Sequence, residues 1–317
     1  QESPARVYPI AAATRGLEGV VMSEMCALVD AGAVAFSDDG KTIMDGGVMR
    51  HVLEYSRLVG KPVITHAEDR HLANNGVVNE GPVSTRLGLP GNPAIAEEIL
   101  VVRDVMLAEL TGAHLHVAHV STRGAVEAIR QARDRGVHVT AEVTPHHLTL
   151  TDEAVLGYDT NAKVAPPLRS AADVRACRAG LVDGTIDAIA TDHAPHALHE
   201  KNLEFTEAPP GLIGFETAFA VALDLVRSGE LSPLELMRRM STNPARIFAL
   251  PGGTLEIGAP ADVAILDPEL RWIYDPAKGF SKSRNSPWAG KSLTGRAIAT
   301  IVGGRLVYHV ERGVLYP

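Results

Sequence analysis

Four polar clusters carry residue types that bind metals and move protons. They are Ser37-Asp38-Asp39-Gly40, Thr65-His66-Ala67-Glu68-Asp69, Ala118-His119-Val120-Ser121 and Thr191-Asp192-His193-Ala194-Pro195-His196. Each follows a short apolar run that reads as a buried strand, the last of them Ile186-Asp187-Ala188-Ile189-Ala190. Carboxylate oxygens and imidazole nitrogens brought together from separate strand ends suit a metal site, and zinc in particular. The C-terminal ends of parallel strands are also where an α/β barrel keeps its chemistry.

Taken singly, each cluster has a plainer reading. Asp38 and Asp39 precede Gly40, the common use of Asp-Asp-Gly in a turn. Asp192 has the residue type of a cap, and His66 that of a core or capping histidine. For His119 strand parity adds an argument, because Leu115, Val117 and His119 share one face. With Leu115 and Val117 filling a barrel interior, His119 sits at its mouth, and His114 and His116 face the helices. His146 and His147 read as loop or core histidines. Four such clusters on successive strand ends are hard to explain by chance.

The elements that must position them alternate. Strands are expected at Val7–Ala13, Ala33–Ser37, Val63–His66, His114–Val120, Val137–Val143 and Ile186–Ala190, with helices between them. The helices include Leu17–Asp30, one through Val48 to Leu58, one from Pro93 to Leu110, Arg123–Arg135, Ala171–Leu181, Phe215–Val226 and Pro233–Met240, the last capped by Ser232. The segment from Asp69 to Asn92 reads as a long irregular loop, of the kind that is functional or mobile. Alternation of this kind means a parallel sheet with right-handed crossovers. Polar clusters closing nearly every strand favour a barrel rim over the single switch point of an open doubly wound sheet. The expectation is a (β/α)8 TIM barrel over residues 1–250 whose first two strands are missing. Short β segments at Gly252–Gly258, Ala261–Leu266 and Ala297–Val302, the last turning at Gly303-Gly304 into Arg305–Tyr308, make residues 251–317 a small β-rich appendage.

Composition narrows the partners. A formal net charge of −8 argues against nucleic acid or an anionic membrane surface. No apolar run is long enough for a transmembrane helix. The start, Gln-Glu-Ser-Pro-Ala-Arg, does not read as a signal peptide, and with no initiator Met the numbering reads as beginning inside a longer protein. Cys26 and Cys177 read as buried thiols of a reducing, cytoplasmic compartment, with no disulfide.

The clusters as a set, with Ala141-Glu142-Val143-Thr144-Pro145-His146-His147, Ala208-Pro209-Pro210-Gly211 and Ala261-Asp262-Val263, resemble bacterial dihydroorotase of the type I branch of the amidohydrolase superfamily. The Thr-Asp-His-Ala-Pro-His stretch is the most specific part of the match. The resemblance implies interconversion of dihydroorotate and N-carbamoyl-aspartate in pyrimidine biosynthesis, with one or two zinc ions activating a water. It implies that Asp39, His66, His119 and Asp192 are metal ligands and that Asp192 is the general base, then the acid. It further implies that His196 contacts the substrate carboxylate and that the backbone at Pro210 and Gly211 holds the ring. A homo-oligomer is expected, as is an aspartate transcarbamoylase partner in some family members.

Two features depart from the family pattern. A His-x-His pair expected on the first barrel strand has no match near the start, since His114-Leu115-His116 lies on another strand, and Ala165 stands where the family has Asn. The chain alone is therefore expected to bind zinc weakly and to turn over little. Two alternatives accompany this reading: a hydantoinase- or allantoinase-type cyclic amidase, disfavoured by Asp39 in place of a carboxylated lysine, and an inactive scaffold. Finally, the polar loop from Ala197 to Pro210 is expected to be mobile without substrate and open to cleavage at Lys201.

Overall fold

The computed structural model describes residues 3–315; residues 1–2, part of the start discussed above, and residues 316–317 lie outside them. Six short strands form one parallel sheet: β1 (Ile10–Ala12), β2 (Ala35–Ser37), β3 (Val63–Thr65), β4 (Leu115–Val117), β5 (Val139–Val143) and β6 (Ala188–Ile189). Their order in the sheet is their order in the chain, and every pairing is parallel. A doubly wound sheet reverses its strand order at a switch point. This one never does, which is the winding of a TIM barrel. All six expected strands are present.

Several helices begin where capping side chains meet free backbone amides. Asp45 accepts from the amides of Gly47 and Val48 at the start of α2 (Gly46–Leu58). Thr122 accepts from Ala125 N at α4 (Arg123–Asp134), and Ser170 and Asp173 cap α5 (Ala171–Asp183) reciprocally. The long α3 (Ile95–Thr111) stops at Gly112, whose φ of 65° is the left-handed conformation that ends helices. Phe36, Val63, Leu115, Val117, Ala141 and Val143 pack with Val52 and Leu53 of α2, Val101 and Val105 of α3, and Val126 and Ile129 of α4 in one apolar core. That core lies between sheet and helices. The other face of the sheet carries Ala35, Ile64 and Ala118, with Phe248 against them.

Beyond the parallel sheet the chain forms an antiparallel one: β7 (Val263–Ile273), β8 (Ser292–Val302), β9 (Arg305–His309) and β10 (Gly313–Val314). The β8–β9 turn uses Gly303 and Gly304 at φ 56° and 79°, the positive values that a tight hairpin demands. Among the described residues no helix is long and apolar enough to cross a membrane.

Several local expectations are corrected. The helix expected over Leu17–Asp30 is only α1 (Met25–Asp30), because Gly16, Leu17 and Gly19 adopt positive φ and break its first half. Val20 and Val21 are consequently exposed. The segment from Asp69 to Asn92 is not one irregular loop. It holds helices Arg70–Ala73 and Pro82–Leu87 and a parallel pairing of Val78–Asn79 with Gly91–Asn92. The helix expected over Phe215–Val226 is split into Ala218–Ala222 and Asp224–Arg227, and Gly252–Gly258 forms no strand. Cys177 is buried as expected, but Cys26 is exposed; both are free thiols.

Candidate metal centre and substrate pocket

His66 follows β3. The preceding Thr65 turns outward and donates through Oγ1 to Asp104 of α3 at 2.7 Å, so His66 falls on the opposite, inner face. His119 arrives by a different route from the one parity suggests. Leu115 and Val117 pack into the core beneath the helices. His116 is the inward residue, with Nδ1 2.8 Å from Thr140 Oγ1 and Nε2 3.1 Å from Glu142 Oε2. His114 likewise bonds Thr140 and stacks on His138. The expectation that His114 and His116 face the helices is therefore reversed. His119 still reaches the mouth because its φ of 34° bends the backbone out of the strand pattern. Asp192, after β6, has the same left-handed backbone, with φ 46°. Residues other than glycine in this region carry backbone strain of the kind that clusters at functional sites.

Asp38 and Asp39 separate cleanly. Asp38 is buried and accepts from Thr14 N at 2.9 Å and from Thr14 Oγ1, tying the end of β2 to the end of β1. Asp39 is half-exposed and turns into the pocket. Its Oδ1 lies 3.2 Å from His119 Nε2 and 3.4 Å from His66 Nδ1, and the two histidine nitrogens are 3.0 Å apart. Three ligand atoms thus surround one point. Tetrahedral coordination with bonds of about 2.0–2.1 Å puts neighbouring ligand atoms about 3.3 Å apart, so this donor set fits a small divalent cation. Asp192 is not among the three atoms that converge. It lines the same pocket.

Electrostatics follow from that crowding. Burial works to raise the Asp39 carboxyl, but its hydrogen bonds to His119 and His66 outweigh burial and hold it well below the usual carboxylate range. Burial works to lower His119. The hydrogen bond and charge of Asp39, aided by Asp192 and Glu142, instead push it up to about 9. Asp192 is held above its ordinary value, chiefly by burial, with His119 opposing and Asp39 adding to the rise.

The pocket has a volume of about 550 Å³, and Asp39, His66, His119, Asp192, Pro210 and Gly211 all line it. A larger groove of about 810 Å³ runs between Phe215–Phe219 and the antiparallel sheet, but the ligand cluster opens into the smaller one. His196 does not line the pocket. Its Nε2 donates to the Pro210 carbonyl at 2.9 Å. Gly211 sits at φ 135°, where a Cβ would come within 2.7 Å of Ala194 Cβ and 2.9 Å of His196 Nε2. Only glycine fits there. His146 and His147 are buried in the short helix Pro145–Thr149. Burial lowers both, and His147 donates to the Pro166 carbonyl.

The loop from Ala197 to Pro210 is not the loose polar connection expected. Lys201, Phe205 and Ala208 are all buried. Lys201 Nζ donates to the carbonyls of Pro209 and Gly211 at 2.8 and 3.2 Å. Lys163, also buried, donates to Phe205 O and Thr206 O at 2.6 and 3.0 Å. Two lysine ammonium groups satisfied by loop carbonyls are invisible to a reading that scores lysine as solvated. Sequence reasoning also missed Glu142, the partner of His116, and Arg169, buried between Ser121 and Asn92. A charged residue inside a strand otherwise patterned for burial was the available signal for Glu142.

The amidohydrolase family model matches residues 11–307. A dihydroorotase from Anaeromyxobacter dehalogenans is 55% identical over 310 residues, which cover 97% of this chain and 72% of that protein. One from Pelotomaculum thermopropionicum is 57% identical over 302 residues, covering 95% of this chain and 71% of that protein. Among solved structures, L-hydantoinase (dihydropyrimidinase) from Arthrobacter aurescens superposes with a TM-score of 0.84 at 27% identity, over 96% of this chain and 70% of that one. A D-hydantoinase (dihydropyrimidinase) from Thermus sp., at 23% identity and a TM-score of 0.83, covers 97% of this chain and 70% of its own and shares the fold. With a barrel sheet, an aspartate–histidine ligand cluster at its mouth and this degree of identity, the chain belongs to the amidohydrolase family and, within it, to the dihydroorotases.

Proposed function

We propose that this protein is a zinc-dependent dihydroorotase that opens the ring amide of dihydroorotate to N-carbamoyl-aspartate and, in biosynthesis, closes it again. The observation that carries the reading is the convergence of Asp39, His66 and His119 on one point in a pocket that Asp192 also lines. Asp39, His66 and His119 would hold zinc, with Asp192 joining them from across the pocket. When bound, zinc would polarise the amide carbonyl and make water a better nucleophile near neutral pH.

The chain's own groups supply the rest. Asp192, as a carboxylate, accepts a proton from the attacking water and returns it to the leaving ring nitrogen. His196 exchanges the Pro210 carbonyl for the substrate carboxylate, a charge-assisted and stronger partner. The polar groups of Gly211 stay engaged, its N donating to Lys163 O and its carbonyl accepting from Lys201 and Asn285, while the Pro210 carbonyl that His196 releases is free to accept a ring N–H. These two residues form a wall against which the ring lies.

Residues 1–250 are read as the barrel domain and residues 251–317 as part of a β-rich one. The support is that every parallel barrel strand ends by Ile189 and the antiparallel sheet begins at Val263. A homo-oligomer working in the cytoplasm fits a biosynthetic enzyme of this kind, and an aspartate transcarbamoylase complex is a further partner to test.

The experiment is a carbamoyl-aspartate cyclisation assay with metal analysis, on protein expressed from the complete reading frame. Turnover should require metal, vanish with a chelator and return with zinc. Preferential turnover of hydantoin or allantoin would overturn the substrate assignment. A metal-loaded protein with no turnover that binds aspartate transcarbamoylase would replace the enzyme with a scaffold.

A further inference from the structure

Asn285 lies in the connection between β7 and β8, far along the chain from any metal-ligand candidate, and is buried. Its side chain bridges two loops of the pocket. Nδ2 donates to Ala194 O and to Gly211 O, both at 3.0 Å, while Oδ1 accepts from His196 N at 3.3 Å. Its backbone carbonyl accepts from Ile213 N at 2.9 Å. The orientation of the amide is dictated by these partners, since two carbonyls can only face the NH2 group and an N–H only the oxygen. Among side chains of this size, only an amide offers donors and an acceptor together. Lys201 Nζ adds the second hydrogen bond on Gly211 O.

We infer that Asn285 is a positioning residue for substrate binding, holding His196 and the Pro210–Gly211 wall at a fixed separation. The inference rests on the function proposed above, which gives His196 and the wall their contact with substrate. Asn285 touches neither Asp192 nor the ligand cluster among the described contacts, so its influence falls on binding and not on the proton transfers. Through it, the β-rich end of the chain completes a pocket whose chemistry comes from the barrel.

The test compares Asn285→Asp and Asn285→Ala with the unmodified protein, all expressed from the complete reading frame and loaded with zinc. Asp keeps the size and the acceptor for His196 N but sets an oxygen against two carbonyl oxygens. If Asn285 merely filled space, Asn285→Asp would behave as the unmodified protein. The positioning role instead predicts KM for carbamoyl-aspartate raised about tenfold or more in both variants. Zinc content should be unchanged and kcat altered less than about threefold. An unchanged KM in Asn285→Asp overturns the inference, and so does a fall in kcat with loss of zinc at constant KM. Failure of the unmodified protein to turn over carbamoyl-aspartate would instead sink the function itself. Should neither variant fold, hydrogen exchange in the unmodified protein decides: the His196 amide should be strongly protected, and rapid exchange there overturns the role.

Discussion

His66 and His119 bring ring nitrogens to within 3.0 Å of each other, Nδ1 to Nε2, across 53 residues of chain. Two imidazole nitrogens cannot approach so closely, with a carboxylate oxygen beside both, unless a proton or cation sits among them. Competition between the two follows directly.

Without metal, that proton belongs to His119, whose pKa is raised to about 9 against an ordinary 6.5. A cation must displace it. Apparent metal affinity should therefore rise about tenfold per pH unit up to about pH 9 and level off above, for one proton released. The same shift has a stability consequence of fixed sign. The folded state binds the proton more tightly than the unfolded state, so the contribution is whole below about pH 6.5 and is lost as pH rises through about 9. Thermal melts of metal-free protein should show this decline, and zinc should remove it. A metal-free melting temperature that is flat or rising over that window would contradict it.

Neighbouring aspartates should fail in different ways. Asp38→Asn weakens the buried tie to Thr14 and should cost about 1–3 kcal/mol of stability while leaving metal content intact. Asp39→Asn removes a ligand and should lower zinc affinity by more than about 100-fold, with little change in the metal-free melting temperature above about pH 9, where the proton that Asp39 holds on His119 is already lost. Metal analysis and melting curves on the two variants separate these outcomes, and matching behaviour would mean that the two residues are not divided as described.

Asp192→Asn should leave the fold in place and weaken zinc binding less than Asp39→Asn does, because Asp192 stands outside the converging three atoms. It should lower kcat by about 10²–10⁴-fold, the usual worth of a positioned acid–base group. Activity above about a tenth of normal would assign the proton transfers to another group.

Trypsin should not cut after Lys201, with or without saturating carbamoyl-aspartate, because its ammonium is buried against the Pro209 and Gly211 carbonyls. Lys278, with its side chain 86% exposed, supplies the internal control for protease access. Rapid cutting at Lys201 that substrate suppresses would restore the mobile loop expected from composition.

Much of this protein is determined locally, and that part is legible in the chain. The six strands, the capped helices and the glycine hairpin at Gly303-Gly304 follow from patterning and backbone preference over a few residues each. Asp39, His66, His119 and Asp192 stand out because strand ends are short, recurrent and easily aligned with residue type. The tertiary structure decided what depends on distant partners. Which aspartate enters the pocket was settled by Thr14, which takes Asp38 away. The inward turn of His119 rests on a left-handed backbone that parity cannot foresee, and the same parity argument put His114 and His116 on the wrong face. The loop around Lys201 is held by Lys163 and by its own buried ammonium, and the wall beyond it by Asn285. Burial of a charge becomes favourable only when its hydrogen-bond partners are in place. Those partners come from segments that only the folded chain brings together.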